Sequence, residues 1–195
     1  ENRIELGFQN MKRSQIMEEV IKTYGLVPLV DLSGLRDDVI SWDNSTSKSS
    51  SNSTTGAGGD STGSQSIDQA VDSAIAGKTS CYDKAEAIYE AFRQHCYYEG
   101  YSNCQYPNDL DKAWQDAHLN CADGANILSA MFQRGGIKAT IVHTSNHYIV
   151  RVNCDGKDYF CDSSGAEGAH NWRKFSDPVY GGTTSGTDMG THLSY

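Results

Sequence analysis

Apolar residues recur at helical spacing in two stretches of this chain and at strand spacing in three more. From Ser80 to Tyr98 the apolar stripe is Tyr82, Ala85, Ile88, Tyr89, Phe92 and Cys96, and Ser80-x-x-Asp83 has the form of a capping box. From Asn120 to Arg134 a second stripe carries Ala125, Leu128, Met131 and Phe132, and Gly135-Gly136 ends it. Lys138 to His143, His147 to Asn153 and Lys157 to Asp162 then read as strands, the last two joined by Asp155-Gly156. That dipeptide favours a two-residue hairpin turn, because both of its residues tolerate positive φ. The pattern predicts an α+β domain in which a helix packs on an antiparallel sheet.

Upstream the pattern weakens. Residues 44–66 are almost all Ser, Thr, Asn and Gly, and only Ala57 among them is apolar. Such a segment has too little surface to bury to offset its ordering entropy, and a flexible linker is expected. Residues 1–43 hold one short amphipathic helix, within Met11 to Tyr24, and one short apolar run, Leu26 to Leu32. That is too little for an independent core, so this segment is expected to be the end of a truncated domain or a docking element. The globular domain is then 67–195. A chain that opens on Glu1 is expected to be a piece of something longer, so the lack of a visible signal peptide carries no weight.

Charge and composition narrow the function. A net charge of −9 is the wrong sign for a phosphate-binding surface and argues against a nucleic-acid footprint. No apolar run reaches the roughly 18–20 residues that a membrane-spanning helix needs. The six cysteines (Cys81, Cys96, Cys104, Cys121, Cys154, Cys161) include no C-x-x-C pair, which argues against a zinc knuckle. One or two disulfides are expected, without a readable connectivity. Acids such as Asp109 and Asp111 are candidates for a structural Ca²⁺, but solvated loop carboxylates are the simpler reading.

The candidate chemistry lies between Asn120 and Ser164. Cys121 falls at the first position of its helix with Asn120 as N-cap, where backbone N–H groups and the helix dipole favour a thiolate. Asp123, one turn in, opposes that ionisation. With Asp155-Gly156 at the turn, Cys154 pairs with Lys157, Val152 with Tyr159, Val150 with Cys161 and Ile149 with Asp162. Alternation then puts His147, Ile149 and Arg151 on one face with Phe160 and Asp162. His147 and Asp162 become diagonal neighbours, with Cα atoms roughly 7–8 Å apart. A thiol, an imidazole and an orienting carboxylate are the parts of an acyl-transfer site. His143, on the neighbouring strand, is the rival base. For a second oxyanion donor beside the Cys121 N–H, Tyr98, Trp114 and Gln115 are candidates. This mechanism requires no cofactor.

The run Asn120-Cys121-Ala122-Asp123-Gly124-Ala125-Asn126-Ile127-Leu128, followed by Gln133-Arg134-Gly135-Gly136-Ile137-Lys138-Ala139, resembles the core of the transglutaminase-like cysteine peptidase superfamily. The resemblance covers about residues 80–175. It implies a transglutaminase-like (papain-like) α+β fold with Cys121 as nucleophile, His147 as base and Asp162 as its orienting acid. Where that family commonly has His-Ala-Trp, this chain has His147-Tyr148-Ile149.

Within the superfamily, the chain looks most like the pseudomurein endoisopeptidases of viruses of methanogenic archaea. The cues are Asp111-Lys112-Ala113-Trp114, Leu119 to Ala125, Asp162-Ser163-Ser164-Gly165 and Asn171-Trp172-Arg173. This implies a cell-wall peptide as substrate and cleavage of an isopeptide bond to lysine. Residues 1–43 loosely resemble the end of a phage tail-hub domain, which implies tail proteins as partners. The implied location is the virion or the extracellular wall surface, with the host cytoplasm before lysis. A transferase using the same acyl-enzyme, and a non-catalytic wall-binding virion module, are the rival readings.

Overall fold

The computed structural model describes residues 58–194. The expectations for residues 1–43, and for the linker up to residue 57, lie outside the described residues.

The first helix, α1 (Gln65–Ile75), begins within what composition alone assigns to the linker. Ser64 caps it by accepting from Ile67 N–H, and Asp68 accepts from the Thr62 N–H and hydroxyl. Ile67, Val71 and Ile75 are buried. Gly59 N–H donates to Arg134 O, and the Ser64 hydroxyl donates to Asp111. Helix-capping residues and linker residues are the same types, Ser, Thr and Gly, so composition alone does not mark where this helix starts.

Helix α2 (Cys81–His95) follows, capped by Ser80 accepting from Asp83 N–H. It stops three residues short of the predicted end, because Cys96 turns extended and β1 (Tyr97–Tyr98) pairs in parallel with β2 (His118–Leu119). Helix α3 (Leu110–Asp116) lies between those two strands.

Helix α4 (Cys121–Arg134) occupies the centre of the described fold. It packs on the sheet formed by β3 (Lys138–His143), β4 (Tyr148–Cys154), β5 (Lys157–Cys161) and β6 (Thr187–Asp188), with strand order β5-β4-β3-β6 and every pairing antiparallel. Ile127, Leu128, Met131 and Phe132 of α4 meet Ile141, Val150 and Val152 of the sheet and Ile88 and Phe92 of α2 in one apolar core. Val142, Ile149 and Val179, with Phe160 against them, form a small second cluster. The buried surface of α4 is wider than its apolar stripe, since Asp123, Gly124, Asn126 and Ser129 are buried too. The segment around residues 191–193 supplies the partners of the last two. Asn126 exchanges hydrogen bonds with the Leu193 backbone and Ser129 donates to Thr191 O.

The predicted hairpin register holds along β4 and β5, from Val150 opposite Cys161 to Cys154 opposite Lys157. Asp155 (φ 54°) and Gly156 (φ 82°) both take the left-handed conformation such a turn requires. One disulfide joins Cys81, at the start of α2, to Cys154, at the end of β4, and so staples helix to sheet.

Candidate active site

Cys121 is the first residue of α4. The Asn120 side-chain oxygen accepts from the N–H groups of Ala122 and Asp123, while its amide donates to Tyr101 O and Asn103 O. One cap therefore fixes both the helix start and the loop beside it. The thiol is partly exposed.

His147 sits one residue before β4, and Asp162 one residue after β5. Both are buried, and the His147 Nε2 lies 2.9 Å from Asp162 Oδ1. The imidazole also hydrogen-bonds Cys121, and since Nε2 is taken by Asp162, Nδ1 is the ring nitrogen for the sulfur. The three candidate residues thus form a continuous hydrogen-bonded line from helix to hairpin.

The carboxylate is held from several sides. Ser164 donates both its N–H (2.9 Å) and its hydroxyl (2.7 Å) to Oδ1, and Tyr180 N–H donates to Oδ2 at 2.6 Å. The Asp162 carbonyl accepts from Tyr89 Oη at 2.9 Å and from Asn171 Nδ2 at 2.5 Å. Buried Arg173 donates to Ser164 O at 2.9 Å, bracing the turn that grips the carboxylate. Sequence reasoning gave Tyr89 and Tyr180 no role here. Ser164 was findable, because an aspartate followed two residues on by a serine is the pattern of an Asx-type turn. Tyr180 had no local signal, lying 18 residues from the side chain it holds.

The electrostatics follow from these contacts. Burial alone pushes the Cys121 thiol up, but the hydrogen bond with His147 and the backbone N–H of Tyr148 outweigh it and hold the thiol below its ordinary value. Burial pulls His147 down, and the Asp162 and Cys121 hydrogen bonds reverse this, raising it to about 9. Burial likewise opposes ionised Asp162, which His147, Tyr180 N–H and Ser164 nonetheless hold below the usual carboxylate range. The arrangement favours a thiolate–imidazolium pair. Of the free cysteines, Cys96 and Cys161 are pushed up by burial, and Cys104 is pushed up to about 12 by burial and then Asp123. Cys121 alone moves down.

The remaining candidates are placed elsewhere. His143 stacks on Tyr148 with ring centroids 4.5 Å apart, and His147 holds the position between thiol and carboxylate. Asp123, expected to oppose ionisation of the thiol, has its carboxylate turned to the neighbouring loop. It accepts from Tyr101 Oη, Cys104 Sγ and the N–H groups of Gln105 and Tyr106, so both oxygens are spent on pinning that loop. Gln115 donates to Asp111, and Trp114 stacks on His95, whereas the Tyr98 phenol is raised by burial and next by the Cys121 charge. Asp109 caps α3 by accepting from Lys112 N–H, and Asp111 accepts from Ser64 and Gln115. Among the described residues no three His, Cys, Asp or Glu side chains gather as a metal site would need, and no helix is long and apolar enough to cross a membrane.

Gly124 sets the spacing between the two halves of the site. A Cβ there would lie 2.7 Å from Ser163 Oγ and 2.8 Å from its Cβ, so only glycine lets the first turn of α4 approach the residue next to Asp162.

Comparison with known proteins agrees with this architecture. A family model described as the transglutaminase-like superfamily matches residues 68–181. A solved protein of Parabacteroides distasonis ATCC 8503, provisionally described as a protease, is similar at 15% identity and a TM-score of 0.43, covering 52% of this chain and 24% of that one. A solved structure described as a TGase is similar at 20% identity and a TM-score of 0.42, covering 55% of this chain and 33% of that one. The chain thus spans about a quarter of the first of those proteins and about a third of the second. Comparison with curated proteins finds no match.

Proposed function

The chain belongs to the transglutaminase-like superfamily and has its α+β fold, and from that premise we propose that it is a thiol endoisopeptidase that hydrolyses the isopeptide bond to lysine in archaeal pseudomurein. The observation that carries the reaction type is the hydrogen-bonded line from Cys121 through His147 to Asp162. The wall substrate rests on the resemblance of Leu119 to Ala125, Asp162 to Gly165 and Asn171 to Arg173 to viral pseudomurein endoisopeptidases. A virion tail setting rests on the resemblance of residues 1–43 alone.

In this mechanism the Cys121 thiolate attacks the amide carbon. His147 gives its proton to the nitrogen as the C–N bond breaks, leaving a thioester on Cys121 and a free amine. A water then loses a proton to His147 and attacks the thioester, and Cys121 departs as thiolate. Asp162 keeps the imidazole in the required orientation and tautomer. The N–H of Cys121, which the Asn120 cap does not take, is one oxyanion donor, and for the second we favour the Tyr98 phenol, whose charge is coupled to that of Cys121, over Trp114 and Gln115.

The test is to incubate the protein with purified pseudomurein wall and with a Lys-isopeptide peptide, scoring new free amines. Wild type and His143→Ala release amines, and Cys121→Ala releases none. Amine release by Cys121→Ala sinks the mechanism. Cross-linked product in place of free amine moves the assignment to an acyl transferase.

A further inference from the structure

Two large apolar side chains, Trp172 and Tyr180, stand exposed among the described residues, and Tyr180 stands at the candidate site. Its ring meets the His147 imidazole edge-on, with centroids 5.5 Å apart, yet the residue is 60% exposed. Its backbone is fixed. The N–H donates to Asp162 Oδ2, the preceding Val179 is buried against Val142 and Ile149, and Gly182 N–H closes the turn on Val179 O. Gly181 (φ 73°) and Gly182 (φ 70°) carry the chain away at once. The turn is therefore anchored on both sides while the ring projects outward. The core does not use that ring, and the hold on Asp162 needs only the backbone.

The reaction gives the ring a use. In acylation His147 delivers its proton to the departing nitrogen, so the substituent on that nitrogen must leave past the imidazole. A pinned aromatic face touching the imidazole is where that substituent lies. From this we infer that Tyr180 is a specificity-determining residue whose exposed ring forms the subsite for the aliphatic chain of the leaving amine. The inference rests on the proposed thiol mechanism. A lysine side chain offers four methylenes to such a face, and a short amine offers almost nothing to it. Methylene contacts with one ring face are individually weak and add along the chain.

The experiment uses two amides of one acyl group, one to the Nε of lysine and one to methylamine, together with an activated ester of the same acyl group. Wild type, Tyr180→Ala and Tyr180→Phe are compared, with melting curves to establish folding. Tyr180→Ala is expected to lose about tenfold more kcat/KM on the lysyl amide than on the methylamide, and Tyr180→Phe to keep the wild-type ratio within twofold. Equal losses on the two amides in Tyr180→Ala overturn the subsite and leave the ring as a support for His147. A collapse of the ratio in Tyr180→Phe overturns it in favour of the hydroxyl. Cys121-dependent turnover of the ester, read as alcohol released by wild type and not by Cys121→Ala, checks the nucleophile independently. Its absence overturns the thiol mechanism and this inference with it.

Discussion

Two buried aspartates flank the start of α4 and have different jobs. Asp162 and Asp123 are each almost completely buried, and each accepts several hydrogen bonds. Asp123 spends both oxygens on one loop, through two backbone N–H groups, a phenol and a thiol. Asp162 takes fixed donors on both oxygens and one movable partner, the His147 imidazole. Burial and saturation with donors therefore do not distinguish a structural carboxylate from a functional one. The distinction is whether one of the donors is itself linked to a nucleophile.

The largest expected effect attacks the functional member. Asp162→Asn keeps the shape but disturbs the imidazole's tautomer, and a loss in kcat of about 10²–10⁴-fold is expected, measured on the Lys-isopeptide substrate. Asp123→Asn should do the reverse. Its amide nitrogen must face an N–H or O–H donor, and a stability loss of roughly 2–4 kcal/mol is expected, read from denaturant unfolding. A comparable drop in kcat with intact stability would erase the contrast between the two carboxylates.

The pH dependence sharpens the comparison. Activity requires the thiolate and the imidazolium together. It should rise with pH as Cys121 ionises, below the ordinary thiol range, and fall as His147 loses its proton near 9. Asp162→Asn removes the hydrogen-bonding carboxylate that raises His147, so its alkaline limb should move to lower pH. Asp123→Asn should leave that limb in place, since His147 owes its shift to Asp162 and Cys121. A kcat/KM profile for each variant decides this. The smallest effect is His143→Ala, for which a change of less than about twofold is expected, because its ring stacks on Tyr148 and does not stand between thiol and carboxylate. A large loss in a folded variant would reopen the choice of base.

What was legible in the sequence was local. Asn120 before Cys121, Ser80 before Cys81 and Asp155-Gly156 between strands act within a few residues, and counting outward from the turn was enough to bring His147 to Asp162. What was not legible joins distant segments without a period. The disulfide spans a sequence separation of 73, the backbone that holds Asp162 Oδ2 comes from Tyr180, and the loop that occupies Asp123 has no apolar pattern to announce it. The partners of Asp123 were hidden for that reason, since they enter from the 101–106 segment. The start of α1 was hidden differently, by capping residues that share the composition of a linker.

The glycine at position 124 gives the site a mechanical tolerance. The helix that carries the sulfur and the loop that carries the carboxylate bear on each other with no clearance at that point, where a single methyl group would meet Ser163 head-on. In an open helix, alanine in place of glycine stabilises by about 1 kcal/mol. Here the same exchange acts as a shim driven into a closed joint. Gly124→Ala would keep every reactive group and still set them at the wrong gauge.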